Sequence, residues 1–322
     1  MTGKSTTKPV SVVTGGAGFI GSNLCEALLG RGHVVFCVDN LITGTEKNIE
    51  QLKKNPDFTF IRWDVAKDMP VLSRVDYVFH LASPASVPDY QKYDEETALV
   101  NSIGTRNLLL FAKAYHAKFL FTSTSEVYGD PKEHPQKETY WGNVNPNGIR
   151  ACYDESKRFG EMITLLYGRK HGVNGRIVRI FNTYGAHMRK DDGRVISNFI
   201  NQALEGKPIT VYGDGKQTRS FCYVSDMVRG IIAMMFSEKT EGAVVNLGNP
   251  EEYTMLDLAR KIKLMTATKS EIVFTKLPID DPSRRRPDIT KAHDLVGWNP
   301  VVSVDEGLKK TIEYYKLISN NK

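Results

Sequence analysis

Tyr153 and Lys157 stand four positions apart at the start of a segment with helical periodicity, so both side chains fall on one face, a turn apart. A tyrosine with its ordinary pKa of about 10 is a poor base at neutral pH, but an adjacent ammonium favours the phenolate. The pair therefore reads as a general base and its electrostatic partner, able to take a proton from a hydroxyl. In a chain with 14 tyrosines this spacing arises by chance about once, so the pair needs company. Thr122-Ser123-Thr124-Ser125-Glu126 puts hydroxyls and a carboxylate at the carboxyl end of a predicted strand, where α/β sheets place their chemistry. Hydroxyl-rich strand ends also cap turns, and on this segment alone the two readings stand level.

A second constellation binds rather than reacts. Val10 to Val13 predicts a strand that runs into Thr14-Gly15-Gly16-Ala17-Gly18-Phe19-Ile20-Gly21, followed by a helix to about Gly30. Gly15 allows the tight turn, Gly18 lets a pyrophosphate approach the backbone, and Gly21 permits close packing of helix on strand. The helix N-terminus would hold the pyrophosphate. A second apolar run ends at Asp39, about 20 residues on, where a carboxylate accepts from the ribose hydroxyls and repels a 2′-phosphate, favouring NAD over NADP. Asp64, after the third strand, serves equally as an adenine contact or a helix cap.

The elements that must hold these residues follow an alternating rhythm. Apolar runs at Ser11 to Val13, Val34 to Val38, Phe58 to Ile61, Tyr77 to Phe79, Phe119 to Phe121 and Arg176 to Ile180 are separated by segments of helical periodicity. That predicts a doubly wound parallel α/β sheet with helices on both faces. Phe159, Met162, Ile163 and Leu166 recur at steps of three and four and predict a packing stripe. After Asn182 the rhythm loosens into helices and short strands, such as Ile209 to Tyr212 and Glu271 to Phe274. The expected organisation is a cofactor domain over 9–182 plus about 219–249, with 183–218 and 250–322 forming a smaller substrate-binding α/β region.

Composition narrows the class. The 322 residues are 41% hydrophobic and 25% charged, which supports a sizeable core and gives no reason to invoke disorder. The net charge is +6, yet the only dense basic run is Arg284-Arg285-Arg286, without a nucleic-acid-binding motif. An anionic small substrate fits better. No apolar run approaches the roughly 20 residues of a membrane span, and the start of the chain makes a poor signal peptide, so a cytoplasmic protein is expected. Cys25, Cys37, Cys152 and Cys222 show no zinc spacing, so no metal is expected and they read as reduced structural thiols.

Thr14 to Gly21, Ser123 to Gly129 and Tyr153 to Lys157 together resemble the extended short-chain dehydrogenase/reductase family of nucleotide-sugar epimerases, dehydratases and decarboxylases. Within it the chain is most similar, from about Val10 to beyond Pro300, to the branch that decarboxylates UDP-glucuronate. His80 to Ser86, Tyr140 to Pro146, Asp192 to Val195, Gln217 to Phe221 and Arg286 to Ile289 carry that likeness. The resemblance implies a Rossmann-like fold, tightly bound NAD regenerated in each cycle, and a UDP-sugar substrate. It gives Tyr153 the proton of the sugar 4-hydroxyl, with Lys157 and Thr124 assisting. Glu126 would handle protons near C5, and Arg219 would orient the charged end of the substrate.

A family dehydratase would carry an acidic residue at Ser125, and a plain 4-epimerase a small or hydroxyl residue at Glu126. Cofactor contacts are implied for Phe19, Ile20, Asn40, Val65 and Leu81 beside the glycines and acids already named. Substrate contacts are implied for Asn182, Arg194, Tyr212, Arg219 and Arg286. Gly185-Ala186-His187 stands where the family commonly has Gly-Pro-Arg. Relatives dimerise through two helices per subunit, here about Glu95 to Tyr115 and Glu155 to Arg169, which implies a homodimer. The rival readings are a 4-epimerase acting on the same acid and a non-catalytic NAD-binding regulator, the latter disfavoured by the presence of both Tyr153 and Lys157.

Overall fold

The structure, a computed structural model, describes residues 7–277 and 284–320. The first half alternates strand and helix: β1 (Val10–Thr14), α1 (Phe19–Leu29), β2 (Val34–Asp39), β3 (Phe58–Arg62) and β4 (Tyr77–His80). Next come α2 (Val87–Lys92), α3 (Asp94–Leu99), α4 (Thr105–Tyr115), β5 (Lys118–Thr124), α5 (Ala151–His171) and β6 (Gly175–Ile180). The second half holds β7 (Thr183–Tyr184), α6 (Val195–Leu204), β8 (Ile209–Tyr212), β9 (Thr218–Ser220), β10 (Cys222–Tyr223), α7 (Val224–Phe236) and β11 (Val244–Leu247). It ends with β12 (Glu252–Thr254), α8 (Met255–Thr266), β13 (Ile272–Thr275), β14 (Arg284–Arg285), α9 (Thr290–Val296) and α10 (Val304–Asn320).

Seven strands form one sheet in the order β3-β2-β1-β4-β5-β6-β11, all parallel. It is the doubly wound sheet that the alternating rhythm predicts. Such a sheet is covered on both faces, so its strands are apolar along their length rather than alternately polar. Val13 of β1 belongs to the core with α1 and α7, and its neighbour Val12 to the core with α4 and α5. The polar residues that β1 does carry are paired: Thr14 Oγ1 lies 2.9 Å from His80 Nδ1, and His80 Nε2 lies 3.1 Å from Thr105 Oγ1. Burial, with the nearby Lys157, pushes His80 down to about 3, so it is a neutral core residue.

The core under α1 and α7 continues without a break into residues of α6, α8 and α10. These three helices are thus packed at the carboxyl edge of the sheet as part of the same core, while α7 and β11 belong to the sheet's own layers. There, β8 pairs with β13, and β9 lies between β12 and β14.

One expectation is overturned. Of the stripe predicted to pack, only Ile163 is buried, while Phe159, Met162 and Leu166 are 40%, 47% and 38% exposed. The face of α5 that meets the sheet runs through Gly160, Ile163 and Tyr167, where Gly160 lies against the Phe121 ring. Helical periodicity identifies an apolar face but not what covers it.

The glycine loop is bound by sterics. Gly15 adopts φ +70, and a Cβ on Gly21 would stand 2.0 Å from the Gly15 carbonyl oxygen. Replacing Gly21 by alanine is expected to lower stability by about 1–3 kcal/mol, the usual range for overpacking a well-packed site. Urea unfolding of the variant would show it, and an unchanged midpoint would contradict this account of the loop.

Candidate active site

Every strand of the parallel sheet delivers its carboxyl end to one edge, and a cavity of about 750 Å³ lies between that edge and the second-half elements. The loop after β1 contributes Gly15 and Gly18 to its lining and the start of α1 Phe19, Ile20 and Gly21; Asp39 ends β2 and Asn40 follows it, Asp64 and Val65 follow β3, and Leu81 follows β4. At the start of α1, no side chain caps the helix and no acidic residue sits in the first turn. The positive end of the helix dipole is left facing the cavity.

Asp39 has a structural task beside the expected one. Its carboxylate accepts from the Ala17 N–H at 3.0 Å and the Leu41 N–H at 2.8 Å, tying the end of β2 to the glycine loop. Burial raises its pKa while these two bonds oppose the rise. A carboxylate has room for more than two donors, so these bonds leave acceptor capacity for ribose hydroxyls. A glycine cradle, an uncapped helix N-terminus and an acid at the end of β2 are a fitting receptor for a dinucleotide.

Tyr153 and Lys157 lie on the first turns of α5, both buried and both facing the same cavity. Lys157 Nζ is 5.8 Å from the centre of the Tyr153 ring and donates to the Thr122 carbonyl at 2.8 Å. Burial pulls Lys157 down to about 7, with Glu161 opposing. Burial pushes Tyr153 up to about 12, against the Thr124 hydroxyl and the charge of Arg194. The Tyr153 ring is stacked on Tyr90, with centroids 4.9 Å apart and planes 5° from parallel. Without a bound ligand, then, the tyrosine is a buried neutral phenol.

Glu126 stands in the single helical turn Ser125–Tyr128 that follows β5, where the Thr124 hydroxyl accepts from its N–H at 3.2 Å. Arg285 Nη1 donates to one carboxylate oxygen at 2.6 Å, and Arg150 pairs with the other. Arg285 also donates to Ser125 Oγ and to the Gly129 carbonyl, each at 2.9 Å. Burial would raise the Glu126 carboxyl, but Arg285, Arg150 and Arg219 outweigh it and hold the group at about 2. It is a carboxylate fixed in place by guanidinium forks.

Asn182, Arg194, Tyr212 and Arg219 all line the cavity, as expected. Arg194 is paired with Asp192 at 2.9 Å, and Arg219 Nη1 donates to the Thr218 carbonyl at 2.8 Å. Arg286 does not line it. That side chain lies 3.8 Å from Glu252, outside the cavity, and the position implied for it is taken by Arg285, which is buried and paired in register with Arg219 of β9. Successive residues of a strand point to opposite sides, so a shift of one residue in a run of three arginines exchanges inside for outside. Arg150 and Arg189 also line the cavity and were not anticipated. Each sits in a loop or at a helix edge, with no periodic signal around it.

The NAD dependent epimerase/dehydratase family matches residues 11–248. This chain is a member of that family. The epimerase/dehydratase relatives include "UDP-glucuronic acid decarboxylase 1" of Danio rerio, 52% identical over 304 residues that cover 94% of this chain and 72% of that protein. "UDP-glucuronic acid decarboxylase 6" of Arabidopsis thaliana is 49% identical over 308 residues, covering 95% and 88%. Among solved structures, the UDP-glucuronic acid 4-epimerase of Bacillus cereus, in complex with UDP-glucuronic acid and NAD, superposes with a TM-score of 0.88 at 32% identity, covering 96% of this chain and 99% of that one. As a family member the chain uses NAD.

The Glu126 clamp has a consequence for acid stability. A carboxyl with a depressed folded-state pKa stabilises the fold fully above the ordinary carboxyl value of about 4.3, and loses that contribution as pH falls. For Glu126 the loss extends down through about 2. The thermal midpoint should fall between pH 5 and pH 3, and fall less in Glu126→Gln; an equal fall in both proteins would contradict the clamp.

Proposed function

We propose that this protein converts UDP-glucuronate to UDP-xylose by oxidation at C4, loss of carbon dioxide and re-reduction. The observation that supports it is the arginine-held Glu126 facing the same cavity as Tyr153 and Lys157, in a chain about half identical to UDP-glucuronic acid decarboxylases. The glycine loop and Asp39 would hold NAD, which would supply the hydride acceptor for C4 and the donor for re-reduction, making the cycle redox-neutral.

Tyr153 accepts the proton of the 4-hydroxyl, with the Thr124 hydroxyl on the same oxygen and the Lys157 ammonium favouring the phenolate. The resulting ketone is β to the carboxylate, so carbon dioxide leaves with the bonding electrons received by the ketone oxygen as an enolate. Arg219 orients the substrate's anionic end and Glu126 handles the proton delivered to C5. Glu126 alone among its arginines is fully ionised, but a second carboxylate brought among them shares their field and raises its affinity for a proton. Ser125, held by Arg285 at 2.9 Å, offers no acid for expelling a 6-hydroxyl, which speaks against dehydration.

In this reading 9–182 with about 219–249 holds NAD, and 183–218 with 250–322 holds the nucleotide sugar. Asn182, Arg194, Tyr212 and Arg219 would contact the UDP-sugar, and guanidinium forks suit its phosphates. The protein works as a homodimer in the cytoplasm. Among the described residues no helix is long and apolar enough to cross a membrane. The dimer is supported by the uncovered apolar side chains Phe159, Met162 and Leu166 of α5, with Leu99, Ile103 and Leu110 on and between the adjacent helices α3 and α4, since exposed apolar side chains gathered on neighbouring elements mark interfaces.

Purified protein given UDP-glucuronate and trace NAD should release carbon dioxide and UDP-xylose in equal amounts, followed by mass and NMR. UDP-galacturonate without carbon dioxide would instead identify a 4-epimerase. Tyr153→Phe should lower turnover by about 10²- to 10⁴-fold. In light scattering the mass should be twice 36.2 kDa and should halve in Met162→Glu, while a monomeric wild type would remove the dimer from the reading.

A further inference from the structure

The segment between β7 and α6 belongs to the second half of the chain, yet its bonds run to the glycine loop. His187 adopts φ +71, a left-handed conformation that a non-glycine residue keeps only where its surroundings hold it, and such positions gather at functional sites. Its Nδ1 lies 3.0 Å from Ser22 Oγ on the first turns of α1. The single hydroxyl proton of Ser22 goes to the Phe19 carbonyl at 3.2 Å, so the imidazole is assigned as the donor from Nδ1.

Asn48 reinforces the same junction. Its Nδ2 donates to the Ala17 carbonyl at 3.1 Å and to the His187 carbonyl at 3.2 Å, so one amide pins the glycine loop and the crossing segment together. Asn23 Nδ2 reaches the Ala186 carbonyl at 3.3 Å. Further along, Arg189 Nη2 donates to both oxygens of Asp89 on α2, at 2.8 and 2.9 Å. On the opposite side the His187 ring lies 5.9 Å from the Tyr314 ring of α10.

His187 and Arg189 line the same cavity as Gly18 and Phe19, so a dinucleotide seated on the glycine loop has this segment beside it. At this point the chain reads Ala186-His187, without a proline to fix the backbone. Side-chain hydrogen bonds supply the rigidity instead.

We infer that His187 is a positioning residue that latches residues 185–189 onto the first turn of α1 and thereby slows the release of NAD. The inference rests on the reading of NAD as a cofactor that stays bound through the cycle, to which slow release is an advantage.

The test is a chase on the full-length protein. Wild type, Ser22→Ala, His187→Gly, His187→Asn and the Ser22→Ala/His187→Gly double variant are loaded with radiolabelled NAD, and loss of label into excess unlabelled NAD is followed. His187→Gly relieves the backbone strain but removes the donor, and should release NAD about five- to tenfold faster, the equivalent of one lost hydrogen bond. Ser22→Ala, whose side chain is outside the cavity lining, should move the rate in the same direction. The double variant should be no faster than His187→Gly, because both changes remove one bond. His187→Asn, which tolerates a left-handed backbone and retains a donor, should stay within about twofold of wild type.

Release at the wild-type rate from both Ser22→Ala and His187→Gly overturns the latch while leaving the cofactor reading intact, as do fully additive effects. A wild type that contains no NAD as purified and takes up none of the labelled NAD overturns the cofactor reading and the latch with it. If His187→Gly does not fold, Ser22→Ala decides alone.

Discussion

Parallel strands all end on the same side. In an all-parallel sheet each connection returns over a face, and the loops that leave the carboxyl ends of the strands gather at one edge. The glycine loop after β1, Asp39 after β2, Asp64 after β3, Leu81 after β4 and Ser125 and Glu126 after β5 are neighbours for that reason alone. Because both faces of the sheet are already covered by helices, that edge is where a ligand can meet backbone and side chains together. The second half of the chain then closes the edge from above and adds its arginines.

Charge distribution inside the cavity divides the labour. The end lined by Asp39 suits ribose hydroxyls and repels phosphate, whereas the helix N-terminus beside it attracts phosphate. Around Glu126, three guanidinium groups act on one partly buried carboxylate. An excess of fixed positive charge in a water-poor site is costly unless an anion shares it. The resident glutamate offsets part of that cost, and the remaining positive charge suits a second anion. Tyr153 and Lys157 are each pushed toward their neutral forms by burial, and a positive charge brought beside the phenol would favour its ionised form.

Local pattern carried the sheet, the glycine loop and the Tyr153–Lys157 pair into view, because each depends on a short stretch of chain: an apolar run, a steric demand for glycine, a helical spacing. Arg285 did not emerge, since three successive arginines give no sign of which one faces inward until β14 pairs with β9. Arg150 was invisible for a related reason: it reaches Glu126 from the residue before α5, and nothing in its neighbours announces that. The stripe on α5 shows the opposite failure, a clear local pattern whose apolar side chains are left largely uncovered. The part of the site built by tertiary approach of distant segments is the part that sequence spacing cannot express.

The last strand of the sheet comes late in the chain. β6 ends at Ile180, but its outer neighbour β11 is Val244–Leu247, made only after β7 to β10, α6 and α7. During synthesis the outer edge of β6 is therefore open while everything between is being produced, and an open edge of apolar strand pairs readily with other chains. The helix that returns to lie against α1 and β6, α7, must emerge before β11 can dock. A ribosome stalled in that interval would hold a nascent chain with most of its cofactor loop formed and one side of its sheet uncapped, the state in which a chaperone has most to protect.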